Sequence, residues 1–183
     1  GNGWSTDGLG GVDTLRSIEG AIGTEFDDTL VGDNSNNVFY GMAGDDFIDG
    51  RGGDDVLYGD EGDDTVLAGR GNDLVVWNEG EGNDIIDMGD GWDRVRLTTG
   101  DGDDLVSVTS PAKNKVRIEG TIDGTDSSGW MLSIGQGDVI EIDTGAGNDE
   151  VVVGNLKRTD VDEVVLYLGS GDDRVEGANA TTT

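Results

Sequence analysis

The sequence predicts an all-β fold, a parallel β-roll or β-helix solenoid whose coils widen from about 18 to about 24 residues along the chain. A nine-residue phrase returns as GMAGDDFID, GRGGDDVLY, GDEGDDTVL and AGRGNDLVV between Gly41 and Val76. Each copy ends a glycine-containing turn with an aspartate, and an apolar residue follows two positions later. Such tandem turns and short apolar-centred strands are typical of solenoids, in which each coil packs only on its neighbours.

Two phrases make one coil, so the predicted inward residues form two series. The first series is Leu30, Ile48, Val66, Ile86, Val106, Val151 and Val175, and the second is Phe39, Leu57, Val75, Val95, Val116, Ile140 and Val164. Most steps within a series grow from 18 to 20 or 21 and then 24 residues, but Val106 and Val151 are 45 residues apart. We assign the strand missing from that interval to Leu132 and Ile134, with Ile122 as the alternative.

The widening follows from a second apolar residue at the same-face spacing of two. It is absent after Ile48, where Gly50 begins a turn, and present from Val75 onward, where Trp77 also points inward. The predicted pairs are Val75 with Trp77, Ile86 with Met88, Val95 with Leu97, Val106 with Val108, Val116 with Ile118, Ile140 with Ile142, and Val151 with Val153; Val164 is joined by Leu166 and Leu168.

We predict one solenoid domain over residues 1–183. Its parts are an irregular start or cap at 1–27, a β-roll at 28–104, a wider parallel β-helix at 105–176 and a frayed end at 177–183.

Composition sets limits on stability and partners. Only 33% of the 183 residues are hydrophobic and 34 are glycine, which is too little apolar surface for a conventional core. A formal charge of −29, from 40 acidic and 11 basic residues, makes the ion-free chain repel itself and disfavours nucleic acid and anionic membranes as partners. No apolar run approaches the roughly 18 residues of a membrane span, and the start of the sequence does not resemble a signal peptide.

The chain contains no cysteine and no histidine, which excludes disulfides, thiolate zinc sites and the commonest transition-metal ligand. Carboxylates and backbone carbonyls remain, and these oxygen ligands suit calcium better than magnesium, which demands a strict octahedron. The turns therefore predict calcium between stacked coils, with an aspartate carboxylate and glycine carbonyls as ligands. Roughly eight to ten ions would cancel about +16 to +20 of the net charge.

The candidate metal ligands are the aspartates that end the turns and the glycines within them. The aspartates are Asp28, Asp46, Asp55, Asp64, Asp73, Asp84, Asp93, Asp104, Asp149 and Asp173. The glycines are Gly41, Gly44, Gly50, Gly53, Gly59, Gly62, Gly71, Gly82, Gly91, Gly102, Gly147 and Gly171. Asn37 replaces the aspartate of its turn, which predicts a weaker site.

The turns predict calcium on both edges of the narrow half but on only one edge of the wide half. On the second edge the turns 111-PAKNK, 135-GQGDV and 157-KRTDVDE lack the motif. Lys113, Lys115, Lys157 and Arg158 fall there, where their charge can offset carboxylates that a metal offsets elsewhere. Docking of a glycan or another partner is the alternative role for this basic patch.

These residues resemble the RTX family, the haemolysin-type calcium-binding nonapeptide repeats of bacterial secreted toxins, proteases, lipases and adhesins. The tandem copies between Gly41 and Asp104 carry the resemblance, and SIEGAIGTEFDDTLVGD at 17–33 is similar to the start of such blocks. The resemblance implies a right-handed β-roll, calcium bound by turn aspartates and glycine carbonyls, and type I secretion to the bacterial surface or exterior. It assigns no activity, because such repeats accompany many effector domains.

We therefore expect a non-enzymatic structural module that folds on binding calcium, within a larger secreted or surface protein such as an adhesin, surface-layer protein or effector. One alternative is a polysaccharide lyase or epimerase using Glu141, Glu163, Arg117 and Tyr167. Another is a self-assembling filament or lattice subunit, although the narrow and wide ends do not match. The tryptophans could form a platform that contacts a glycan, although packing in the core or in turns is their ordinary role. They are Trp4, Trp77, Trp92 and Trp130.

Overall fold

The structure, a computed structural model, describes residues 4–6, 12–14, 19–78, 80–113, 115–122, 126–133, 138–156 and 161–177. These residues form strands and turns and no helix. A helix long and apolar enough to cross a membrane is therefore absent from the described residues. The strands are β1 (Trp4–Thr6), β2 (Val12–Thr14), β3 (Gly20–Ile22), β4 (Thr29–Val31), β5 (Val38–Tyr40), β6 (Phe47–Asp49), β7 (Val56–Tyr58), β8 (Thr65–Leu67), β9 (Leu74–Asn78), β10 (Ile85–Asp87), β11 (Arg94–Thr98), β12 (Leu105–Ala112), β13 (Lys115–Ile122), β14 (Asp126–Ser133), β15 (Asp138–Asp143), β16 (Glu150–Val153), β17 (Val161–Tyr167) and β18 (Arg174–Gly177).

Two facing sheets make a β-solenoid of about seven turns, which confirms the predicted fold class. The eight-stranded sheet has the order β1-β3-β5-β7-β9-β11-β15-β17, and the ten-stranded sheet has the order β18-β16-β12-β13-β14-β10-β8-β6-β4-β2. Through most of the chain, successive strands alternate between the sheets and pair in parallel with the strand one coil away. We call the turns that enter the ten-stranded sheet the first edge and those that enter the eight-stranded sheet the second edge.

The core is a single layer of apolar side chains between the sheets. In the three-residue strands only the central residue is buried, as in Phe39, Ile48 and Leu57, because side chains alternate between the two faces. A second inward residue is buried in β9, β11, β12, β13 and β15, and Trp77 accompanies Val75 as predicted. Most of the described strands therefore contribute one or two side chains to the core, which is thin for a domain of this size.

The coils widen as the sequence predicts. Hydrogen-bonded turn aspartates lie 18 residues apart at Asp46 and Asp64, 20 apart at Asp64 and Asp84, and 24 apart at Asp149 and Asp173. Between these regions the step is 45 residues long on both edges, from Asp93 to Asp138 on the second edge and from Asp104 to Asp149 on the first. The prediction did not foresee that strands within these steps pair in antiparallel fashion.

Strands β12, β13 and β14 form an antiparallel meander within the ten-stranded sheet, between β10 and β16. Val116 was predicted for the second series, but it lies in this sheet, and Val95 pairs directly with Ile140. That prediction is wrong because the short link from Ala112 to Lys115 permits a hairpin, whereas a parallel connection needs a crossover.

The strand assigned to Leu132 does belong to the first series, but it pairs with Ile86 instead of lying between Val106 and Val151. The competing Ile122 lies at the far end of β13, opposite Asp126, and Ile134 is outside the described residues. Along β13 the partner of Leu132 is Val116 and the partner of Val106 is Gly120. The sheet therefore changes register by four residues where the narrow coils meet the wide ones.

The last coil is less covered than the others. Val175 pairs with Val151 as predicted, but it is 47% exposed because β18 is the end strand of its sheet. Val164, Leu166 and Leu168 in the opposite sheet and the turn after it are half-buried. Strands β1 to β3 extend both sheets into the segment predicted as an irregular start, and the division of the chain into parts remains a proposal.

Candidate metal centres in the turns

The turn aspartates are buried although they are acidic. Asp46, Asp55, Asp64, Asp73, Asp93 and Asp149 are each at most 3% exposed, and Asp28, Asp84 and Asp104 are also buried. Transferring a carboxylate from water into a protein interior costs several kcal/mol unless it gains hydrogen bonds or a cation. The interactions of each carboxylate oxygen therefore decide what the turns can bind.

In most of these turns one carboxylate oxygen accepts a hydrogen bond from the preceding coil. On the first edge the N–H of Asp28 donates to Oδ1 of Asp46 (2.7 Å), and the N–H of Asp46 donates to Oδ1 of Asp64 (2.7 Å). The row continues to Asp84 (2.9 Å). The second edge repeats the arrangement, with donor and acceptor pairs Asn37 and Asp55, Asp55 and Asp73, and Asp73 and Asp93.

The other oxygen has no donor in most of these turns. Among the described residues, the buried Oδ2 atoms without a hydrogen bond are those of Asp46, Asp55, Asp64, Asp73, Asp93 and Asp149. A buried charged oxygen without a partner is strongly unfavourable. The Oδ2 atom in each of these turns therefore needs a cation or a hydrogen-bond donor. A calcium ion would supply that partner, since it binds carboxylate and carbonyl oxygens.

Glycine keeps open the space beside this unpaired oxygen. A Cβ built on Gly41 would lie 2.2 Å from Asp46 Oδ2 and 2.3 Å from the carbonyl oxygen of Gly59, one coil further. For Gly50 the corresponding distances are 2.4 Å to Asp55 Oδ2 and 2.6 Å to the carbonyl oxygen of Ala68. Calcium–oxygen bonds are about 2.3 to 2.6 Å long, so this oxygen-bordered space fits the ion.

The donor set consists mainly of backbone oxygens. No three acidic side chains of the described residues converge on one point, so each turn offers one buried carboxylate together with carbonyls. Carbonyl-rich sites suit calcium, which tolerates irregular coordination, and they are poor for transition metals.

The glycine in the middle of each turn has a separate, structural reason to be there. Gly44 and Gly62 adopt φ angles of 113° and 146°, which L side chains rarely tolerate. A Cβ on Gly62 would lie 2.0 Å from the carbonyl oxygen of Gly44, and one on Gly147 would lie 1.7 Å from that of Gly102. The predicted ligand glycines that share such crowding or a positive φ are Gly53, Gly71, Gly82, Gly91 and Gly171.

Burial raises the pKa of several turn aspartates in the absence of a metal. The pKa rises to about 6 for Asp46, about 7 for Asp55, Asp64 and Asp93, and about 8 for Asp84. Desolvation is the largest cause, neighbouring carboxylates add to it, and the hydrogen bond from the preceding coil opposes it. Without a cation, the pKa of about 8 keeps Asp84 mostly protonated at neutral pH, and the pKa of about 7 leaves Asp55, Asp64 and Asp93 close to half protonated.

Two predicted ligand turns already contain a protein donor. Asp104 Oδ2 accepts a hydrogen bond from Thr99 Oγ1 (2.6 Å). Asp28 Oδ2 accepts from Thr24 N (2.7 Å) and from Thr24 Oγ1 (2.9 Å). Asp173 belongs to the last coil, where it is half-buried and accepts from Asp149 N (3.2 Å).

Asp138 is a site residue that the sequence analysis missed. It is buried, and its Oδ1 accepts from the N–H of Asp93 (3.3 Å), which extends the second-edge row into the wide half. Asp138 therefore continues the row although its turn, 135-GQGDV, lacks the glycine motif, and the absence of calcium from this turn stays a prediction. The signal was present in the sequence, because Asp138 stands two positions before Ile140, as Asp93 stands two positions before Val95.

A second row, on the residues directly before the turn aspartates, was also missed. Asp45 N donates to Asp27 Oδ1 (3.0 Å) and Asp63 N to Asp45 Oδ1 (3.0 Å), while on the other edge Asn72 N donates to Asp54 Oδ1 (2.8 Å). These side chains are exposed. Their sequence signal is the Asp or Asn that precedes almost every turn aspartate, and their role is to link coils.

The meander divides the first-edge row into two runs. Asp28, Asp46, Asp64 and Asp84 form one run, and Asp104, Asp149 and Asp173 form the other, because β13 and β14 lie between β10 and β12. Of the predicted basic patch, Lys113 and Lys115 lie at the link between β12 and β13, and Lys157 and Arg158 are outside the described residues.

The residues considered for catalysis are not brought together as one cluster. Glu141 and Tyr167 line one depression with Arg96 and Asp143 on the outer face of the eight-stranded sheet. Glu141 is bound by Arg94 Nε and Arg96 Nε, each at 3.1 Å, so two cations already neutralise it. Arg117 lies in the other sheet and pairs with Glu119.

The tryptophans do not form a platform in the described part of the chain. Trp77 is buried in the core, as predicted, and Trp92 is 75% exposed in a second-edge turn. The side chains of Trp4 and Trp130 are outside the described residues.

The narrow half is similar to a known repeat. Residues 22–57 and 43–75 match the model of the RTX calcium-binding nonapeptide repeat, in four copies, which confirms the resemblance for this part of the chain. No curated protein is significantly similar to the chain. RTX repeats bind calcium, and together with the solenoid fold the match supports a calcium-binding structural module.

Proposed function

We propose that the chain is a structural module whose turns bind several calcium ions and whose folding depends on them. The observation that carries the proposal is the set of buried Oδ2 atoms without a donor, beside spaces bordered by oxygens of two coils. The six turns with such an oxygen, at Asp46, Asp55, Asp64, Asp73, Asp93 and Asp149, are the first candidates for ligands. The total of eight to ten ions remains a prediction.

Calcium contributes in two ways under this proposal. Each ion pairs with a carboxylate oxygen that the fold buries, and each removes two units from a net charge of −29. The apolar core is too thin to offset both costs, because most coils bury only one or two side chains per strand. Metal binding and folding are then one process, as in other small metal-dependent modules.

We propose that the chain folds outside the cell. Extracellular calcium modules bind with dissociation constants of about 10⁻⁴ to 10⁻³ M, above the free calcium concentration of a cytosol. We propose that the chain belongs to a secreted or surface protein of a bacterium, with other domains attached, and that it follows a type I secretion route. The RTX repeat match supports this location, since such repeats typically occur in secreted proteins.

The test is a calcium titration of a chelated sample followed by far-UV circular dichroism. We expect a cooperative gain of β-sheet signal at submillimolar to millimolar calcium, and no comparable gain with magnesium at the same concentrations. Ionic strength is held constant with sodium chloride, so that general screening of the net charge is the same in every sample. An unchanged spectrum across the calcium series would contradict the proposal.

A further inference from the structure

We infer that Asp28 and Asp104 do not bind calcium, because a threonine hydroxyl occupies the role that the cation has in the other turns. This inference rests on the proposed calcium function and specifies which turns carry it. It separates the predicted ligands into turns that need an ion and turns that the chain satisfies by itself.

The Asp104 turn carries the inference furthest. Thr99 stands five residues before Asp104, the same position that Gly41, Gly50 and Gly59 have relative to their turn aspartates. The Thr99 hydroxyl donates to Asp104 Oδ2 at 2.6 Å, and both residues are buried. Hydroxyl-to-carboxylate bonds of this length are charge-assisted and among the stronger hydrogen bonds in proteins.

Turns with glycine at this position lack the donor that Thr99 provides. At Gly41 the space next to the aspartate oxygen is empty of side chain, and even a Cβ would approach Asp46 Oδ2 to 2.2 Å. Glycine has no side-chain donor, so Asp46 Oδ2 is left unpaired. At Thr99 the side chain supplies both a group that fills this space and a proton for the oxygen.

The Asp28 turn reaches the same result with a different donor. Thr24, four residues before Asp28, donates its backbone N–H (2.7 Å) and its hydroxyl (2.9 Å) to Asp28 Oδ2. Two donors satisfy the oxygen that is unpaired in Asp46, one coil further along the same edge. A cation at Asp28 would have to displace both.

Threonine at this position is not sufficient without the hydrogen bond. Thr144 precedes Asp149 by five residues, but neither Thr144 Oγ1 nor Asp149 Oδ2 forms a hydrogen bond, and both atoms are buried. Two oxygens without partners in one turn are an arrangement that a cation satisfies. Asp149 therefore remains a candidate calcium ligand, whereas Asp104 does not.

The test counts calcium ions on the whole chain by native mass spectrometry at saturating calcium. We compare wild type with Asp64→Asn and Asp104→Asn, which remove the same charge from turns of the two kinds. We expect Asp64→Asn to lose at least one ion and Asp104→Asn to lose none. If Asp64→Asn does not fold, Asp149→Asn serves as the calcium-turn variant.

The outcomes separate this inference from the function on which it rests. A wild-type chain without bound calcium would overturn the proposed function and this inference with it. Loss of an ion in Asp104→Asn, equal to that in Asp64→Asn, would overturn the inference and leave the proposed function standing.

A second measurement tests the hydroxyl itself. Thr99→Val keeps the shape of the side chain and removes the hydroxyl, so the buried Asp104 Oδ2 loses a charge-assisted hydrogen bond. We expect a lower urea midpoint at saturating calcium, whereas the neighbouring Thr98→Val, on the outward face of β11, leaves the midpoint unchanged. Equal midpoints for the two variants would also overturn the inference.

Discussion

Asp45 and Asp46 are adjacent in the chain, but their carboxylates accept hydrogen bonds from opposite neighbouring coils. Asp46 Oδ1 accepts from the N–H of Asp28 in the preceding coil, at 2.7 Å, and Asp45 Oδ1 accepts from the N–H of Asp63 in the following coil, at 3.0 Å. Asp46 is buried and Asp45 is exposed. Only the buried carboxylate presents a second oxygen to an enclosed space, and this difference makes the two rows experimentally separable.

The first prediction uses two neighbouring aspartates of one turn. Asp55→Asn keeps an acceptor for the N–H of Asn37 but removes a buried negative charge whose Oδ2 has no donor. We expect the calcium midpoint in circular dichroism to rise about tenfold or more, because a carboxylate ligand is lost.

Asp54→Asn is the matched control. Asp54 is exposed, and asparagine occupies the equivalent position one coil before and after, at Asn36 and Asn72. We expect its calcium midpoint to equal that of wild type. Equal shifts in the two variants would show that loss of charge, and not loss of a ligand, controls the titration.

The second prediction concerns pH in the absence of calcium. The pKa values of Asp46, Asp64 and Asp84 are raised to about 6, 7 and 8, so the folded state binds protons more tightly than the unfolded chain. Stability is then fully present below the ordinary aspartate pKa and is lost as pH rises through 6 to 8. We expect the metal-free chain to show more β-sheet signal in far-UV circular dichroism at pH 5 than at pH 8.

General charge repulsion also makes the metal-free chain less stable as pH rises. High salt distinguishes this repulsion from the effect of the buried carboxyls. At about 1 M salt the Debye length is about 3 Å, which screens exposed charges but not buried ones. The pH dependence should persist at that salt concentration. With saturating calcium the sign should reverse, because protons compete with the metal for the carboxylates. A metal-free chain that is more stable at pH 8 would contradict the prediction.

The third prediction tests the space beside Asp46. Gly41→Ala places a Cβ 2.2 Å from Asp46 Oδ2 and 2.3 Å from the carbonyl oxygen of Gly59, so the turn must shift. We expect a loss of about 1 to 3 kcal/mol in unfolding free energy at saturating calcium, as for overpacked sites. Urea denaturation followed by circular dichroism measures it.

Gly52→Ala is the control for the third prediction. A Cβ on Gly52 would lie 3.4 Å from Asn34 Oδ1, which is an ordinary contact, and Ala43 already stands at the equivalent position of another turn. We expect its unfolding free energy to be within about 0.5 kcal/mol of wild type. Comparable losses in both variants would mean that any side chain in a turn is harmful and that the space is not specific.

The fourth prediction concerns the residue that extends the second edge. Asp138→Ala should destabilise the calcium-bound chain, because Asp138 is buried and the N–H of Asp93 would lose its acceptor. Asp162→Ala is the control, since Asp162 is exposed. Unfolding midpoints at saturating calcium report both changes, and an unchanged midpoint for Asp138→Ala would contradict the prediction.

Much of the fold is predictable from the sequence because alternation has a fixed consequence. A residue two places after a turn aspartate points inward, and this rule locates Ile48, Leu57 and Val95 in the core. The same rule could not detect the meander. Parallel and antiparallel strands alternate alike, so the step of 21 residues from Val95 to Val116 resembled one more coil.

The candidate site is predictable only at the level of residue type. Repetition identifies the turn aspartates, but the state of each Oδ2 depends on contacts that spacing does not reveal. Asp46 and Asp104 carry the same turn motif, yet one oxygen is unpaired and the other is held by Thr99. The Arg94 and Arg96 pair on Glu141 likewise arises from neighbouring strands that are 45 residues apart in sequence.

The antiparallel meander can stop unfolding from spreading from one coil to the next. In a stack of coils, loss of order spreads from each coil to the next, and the exposed strand β18 is where it would begin. Strands β12, β13 and β14 pair with one another across short links, so they hold together through local contacts even when β16 has left them. We therefore expect unwinding from that end to meet a barrier before it reaches the narrow coils, so the part of the chain that matches the RTX repeat is protected from loss of structure in the wide part.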